Sequence, residues 1–133
     1  MAEPLTFPIR KECPPGACDC DRATLLATAG ADTRILLLTS AEEHKLLARI
    51  EAIGSLDDLR HVTARLQAQL GVQLRVAPGP NEVRTVRGLL IDVAGQPGLC
   101  RKTRKAIPAA VRRCLERQPH IVYALLDAHD LLG

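Results

Sequence analysis

Cys13, Cys18 and Cys20 fall within eight residues, in the run Glu-Cys-Pro-Pro-Gly-Ala-Cys-Asp-Cys-Asp at positions 12–21. Two further cysteines, Cys100 and Cys114, stand far downstream. Thiols this dense either join as disulfides or bind something soft, usually a metal ion. The C-x4-C-x-C spacing puts three thiolates on one short loop, and Gly16 lets that loop fold back. Cys100 would complete a set of four, a place a histidine could also take. Four thiolates suit tetrahedral zinc or an iron–sulfur cluster, and a C-x-C pair also suits Cu(I). The spacing matches neither the paired C-x2-C of zinc ribbons nor the C-x4-C-x2-C of plant-type ferredoxins. It points to a soft-metal site without naming the metal. Free thiols on an irregular arm, or a regulatory disulfide, are the competing readings.

Cys100 also has a setting of its own. It precedes Arg101, Lys102 and Arg104 at the start of an expected helix. A helix N-terminus and neighbouring cations both favour the thiolate, which makes Cys100 a candidate redox-sensing thiol as well as a ligand. Catalysis would need a base beside it, and nothing in the sequence nominates one. Cys114 lies on an apolar stripe and reads as a small core residue.

The second chemical pattern is charge. Residues 72–118 carry 10 Lys/Arg and 3 Asp/Glu, a net +7. Residues 1–71 are net −2, and so are residues 119–133, giving +3 for the whole chain of 133 residues. One third of the sequence thus holds the entire positive excess, and an anionic partner is expected there. Arginine outnumbers lysine 14 to 4, which favours forked contacts over point charges. Arg75, Arg84 and Arg87 would project from a two-stranded ribbon. Arg101, Lys102, Arg104, Lys105, Arg112 and Arg113 would line a helix. Such an array suits a nucleic-acid backbone, or else the face of an acidic protein. Phe7 and Tyr123 are the only aromatic residues, which disfavours stacking on unpaired bases. No GxGxxG, P-loop, GxSxG or HExxH motif occurs, and the four histidines are scattered. The expectation is therefore non-enzymatic.

Periodicity supplies the elements that must position these groups. Residues 1–22 hold four prolines and the cysteine triad and show no regular period, an irregular arm. Residues 23–133 read as one domain. A short helical turn is expected before Gly30. The apolar run 34–39 predicts a buried strand, or a staple into the next helix. Two capped helices follow. One starts at Ser40 with Glu43 three residues on and closes at Gly54; the other starts at Ser55 with Asp58 and closes at Gly71. They form an αα-hairpin. Val72, Leu74 and Val76 then alternate with polar residues, Pro78-Gly-Pro-Asn81 turns, and a strand over 82–94 returns, with Gly88 as a candidate bulge. Helical patterning from Leu99 to Arg117 is interrupted by Pro108, which either starts a new helix or kinks one long one. Pro119 opens a last helix.

The fold class expected is α+β: αα-hairpin, β-hairpin with the 34–39 run as a candidate third strand, two C-terminal helices and a Cys-bearing arm. No apolar run reaches the roughly 20 residues of a spanning helix, and the first residues lack an apolar leader core. A cytoplasmic location is expected, where cysteines favour metal over disulfides; the Ala/Leu/Arg-rich, Lys-poor usage suggests a bacterial gene. The functional expectation is a non-enzymatic protein that binds nucleic acid through its basic ribbon and helix, with a Cys-ligated metal bracing the arm. Its alternative is a metal or redox module acting on an acidic protein.

Overall fold

The computed structural model describes Cys18, residues 20–79 and residues 85–129. The architecture is α+β, with five helices and one antiparallel hairpin among the described residues. In chain order these are α1 (Arg22–Ala27), α2 (Ser40–Glu51), α3 (Leu56–Leu70), β1 (Leu74–Pro78), β2 (Leu89–Val93), α4 (Arg101–Arg117) and α5 (Pro119–His129).

The two capped helices form where their end residues dictate. Thr39, one residue before the expected Ser40, caps α2 by accepting from the Glu42 N–H at 3.3 Å. Ser55 Oγ accepts from the Asp58 N–H at 3.0 Å, and Asp58 in turn accepts from the Gly54 N–H. Gly71, at φ +70°, takes the left-handed conformation that ends α3 and satisfies its last carbonyls. Arg49 and Asp58 then clamp the break between α2 and α3.

One open alternative is decided and two expectations are corrected. The 34–39 run forms a 3-10 turn over Arg34–Leu37, not a strand, so the sheet has two strands among the described residues. Ile35, Leu36 and Leu38 are still buried by it; an apolar run of this length satisfies a tight turn as well as a strand. Of the strand expected over 82–94, residues 82–84 lie outside the described residues, a 3-10 turn occupies Val86–Gly88, and β2 follows from Leu89. Gly88 is part of that turn rather than a bulge. The pairing runs from Leu74↔Val93 to Pro78↔Leu89.

Helix α4 settles the open choice at Pro108 by running through it. The proline deprives the Arg104 carbonyl of its helical donor. Ile107, Ala110 and Val111 on either side are fully buried, and burial at about 1.5–3 kcal/mol per large aliphatic side chain outweighs one lost bond. α4 is the central element: α2 packs on one side of it and β2 on another. Its far end caps α2. The Cys114 thiol donates to the Ile53 carbonyl at 3.1 Å, Gln118 Nε2 donates to the same oxygen at 2.6 Å, and Arg117 donates to the Glu51 carbonyl at 2.8 Å. Carbonyls that the end of α2 leaves unpaired are thereby satisfied. No helix among the described residues is long and apolar enough to cross a membrane.

Candidate metal centre

Cys18 and Cys20 stand immediately before α1, and Cys100 is the residue that caps the start of α4. Their sulfur atoms all lie within 4.8 Å of one another. Cys20 is buried, while Cys18 and Cys100 are half-buried.

Local backbone geometry explains how segments eighty residues apart meet. Asp21 sits in the left-handed region at φ 55° and turns the arm into α1, a conformation that aspartate tolerates better than most residues. Leu25 of α1 then anchors the arm in the core. On the other side, Gly98 at φ +87° turns the loop that leads to Cys100. Its N–H donates to the Cys20 carbonyl at 2.5 Å. A Cβ at this position would lie 2.6 Å from both Ile35 Cγ2 and Leu25 Cδ2. A residue with no side chain is what allows the arm and the loop to close on each other.

The electrostatics favour thiolate at Cys18. Burial opposes charge on Cys18. The Arg101 backbone N–H, the Cys100 thiol, and the thiol and backbone of Cys20 outweigh that cost, and Cys18 falls from 9.0 to about 7. Arg101 is the first residue of α4, so its N–H is one of the donors a helix start leaves unpaired. Cys100 itself supplies no side-chain cap bond; the Cys18 sulfur takes that place from across the interface.

Of the four cysteines expected as ligands, the structure brings Cys18, Cys20 and Cys100 together, and Cys13 lies outside the described residues. Cys114 is elsewhere, buried against the Ile53 carbonyl, with its thiol pushed up by burial. The expected cations are dispersed. Arg101, Lys102 and Lys105 are exposed and Arg104 half-buried on the first turns of α4, which carry no acid. Arg87 and Arg112 are exposed, and helical spacing puts Arg112 on the same side of α4 as Arg101 and Lys105. Arg75 is engaged by Asp92 at 2.6 Å and Arg113 by Glu51 at 2.7 Å. Arg84 lies outside the described residues. Two contributors to the cluster had escaped sequence reasoning. In the sequence Gly98 is only one of two glycines in the run Gly95-Gln-Pro-Gly98, and the Arg101 N–H leaves no trace in residue types.

No protein-family model, curated protein or solved structure matches the chain.

Proposed function

We propose that this chain binds one thiophilic metal ion through Cys18, Cys20 and Cys100, with Cys13 as the candidate fourth ligand, and that the ion ties the N-terminal arm to the start of α4. The observation that carries this reading is the approach of three sulfurs, from two distant segments, to within 4.8 Å. At a Zn–S distance of about 2.3 Å, tetrahedral geometry places neighbouring sulfurs about 3.8 Å apart. Side-chain adjustment alone would close the three onto a single ion. A four-iron cluster seats its thiolates on separate iron atoms, farther from one another. The spacing therefore favours a mononuclear ion over a cluster. Zinc suits the set if Cys13 joins it, and Cu(I) suits three thiolates alone. Among the described residues no histidine or carboxylate joins the group, which supports a binding role rather than acid–base catalysis.

The experiment is metal analysis of untagged protein purified without oxygen. One zinc or copper ion per chain is expected, lost in Cys18→Ser, Cys20→Ser and Cys100→Ser and retained in Cys114→Ser. Cys13→Ser reports whether the shell has three sulfurs or four. Iron with visible absorbance would overturn the mononuclear reading. Five titratable thiols that take up neither zinc nor Cu(I) would overturn the site itself.

A second reading, nucleic-acid binding, rests on Arg101, Lys102, Arg104 and Lys105 around the first turns of α4. These cations add to the positive end of the helix dipole. An acidic protein face would satisfy the same charges, and salt-dependent affinity for duplex DNA or RNA separates the two.

A further inference from the structure

α2 and α3 are consecutive, yet they are not packed on each other along their length. α2 lies on α4, whereas α3 lies against the 34–37 turn, β1 and α5. The space between them is a groove of about 750 Å³. It shares no lining residue with the cysteine cluster or with α4, so the groove and the metal centre are independent features of the molecule.

Helix periodicity builds the walls. Positions 42, 45, 46 and 49 of α2 and 61, 62, 65, 66, 69 and 70 of α3 face the groove, each set one side of its helix. At 1.5 Å per residue the α3 wall is about 14 Å long. The interior is apolar. Leu38, Val62 and Leu66 form a buried floor, Leu46 and Leu70 are half-buried beside it, and Leu37 is 39% exposed at the edge. Six apolar side chains thus line one groove, and Leu37, Leu46 and Leu70 are the ones whose surface it leaves open.

The rim is cationic. Lys45, Arg49 and Arg65 line it beside His61, against one acid, Glu42. Glu42 is matched to Lys45 at 3.5 Å, and Asp58 fixes Arg49 in place. Arg65 has no ion-pair partner among the described residues. The groove therefore offers apolar area together with one positive charge, Arg65, that no ion pair among the described residues neutralises.

We propose that this groove docks an amphipathic, acidic helix of a partner protein. Apolar side chains at i, i+3 or i+4, and i+7 would occupy the leucine floor, and a flanking carboxylate would meet Arg65. A groove open along 14 Å between two helical walls fits a helix better than a small ligand, which is enclosed over most of its surface. The apolar floor equally disfavours a nucleic-acid backbone, which needs charge without apolar area.

The test is selection of a display library of 14-residue helical peptides against the full chain. The protein contains no tryptophan, so a tryptophan in each selected peptide reports its binding directly. The peptides recovered should carry an apolar stripe flanked by Asp and Glu and should bind more weakly as salt rises. Arg65→Glu should weaken them about tenfold or more, and so should Leu37→Asp. Both changes are at exposed positions, and circular dichroism would confirm that each variant folds. The proposal is overturned if no peptide is enriched, if the enriched peptides are basic, or if they bind both variants undiminished. Binding of dodecanoate with no peptide enriched would make the groove a lipid-anion site and overturn it. A dimer dissolved by Arg65→Glu would make the occupant a second copy and do the same.

Discussion

Cys18 and Cys114 show one residue type in opposed settings. Cys18 is surrounded by donors and falls to about 7, whereas burial pushes Cys114 up. In metal-free protein, iodoacetamide should therefore label Cys18 first, with a midpoint near pH 7, while Cys114 reacts only on unfolding. Mass spectrometry of digests over a pH series checks this; equal rates for the two would contradict it. The linkage has a definite sign. Cys18 titrates lower folded than unfolded, so its thiolate stabilises the metal-free fold most above pH 9, and that contribution fades as pH falls towards 7. Chemical denaturation across that window should show the trend, and Cys18→Ser should flatten it. At this scale the sequence marked which residues could act, since a C-x-C pair is conspicuous. It could not tell Cys100 from Cys114 as the long-range partner by composition, only by place: one precedes a helix, the other lies on an apolar stripe.

At the scale of elements, the arm is held by a loop rather than by a helix face. Gly98→Ala would force a side chain into a left-handed backbone position and against Ile35 and Leu25. A loss of about 2 kcal/mol or more is expected, read by denaturant unfolding, with metal affinity falling in parallel because Cys20 and Cys100 move apart. Unchanged affinity would mean that the loop does not position the site. The helices were legible where local chemistry decides them: Ser55 with Asp58 at one end of α3 and Gly71 at the other. Residues 34–39 and Pro108 were not. Four apolar residues in a row, Ile35 to Leu38, serve a turn or a strand equally, and whether a helix survives a proline depends on what its neighbours bury.

At the scale of the molecule, the excess charge is less available than its count suggests. Glu51 and Asp92 hold Arg113 and Arg75, leaving the start of α4 as the densest free cation group among the described residues. If that group binds duplex DNA, log affinity should fall with log salt at a slope of about −3 to −4, roughly 0.9 per phosphate neutralised by four cations. Alanine at Arg101, Lys102, Arg104 and Lys105 together should remove the binding and leave metal content intact, because the Arg101 backbone N–H survives the change. Fluorescence anisotropy with a labelled duplex measures the slope; no binding at low salt would end the nucleic-acid reading. By itself the sequence determined the α+β class, the capped helices, the hairpin and the residues able to bind a soft ion, because caps, periodicity and thiol spacing are local properties. Only the tertiary structure decided that Cys100 meets Cys18 and Cys20, that α4 runs unbroken past Pro108, and that α2 and α3 part to leave a leucine-floored groove. Each of these depends on which surfaces bury one another, and burial joins residues that the chain keeps far apart.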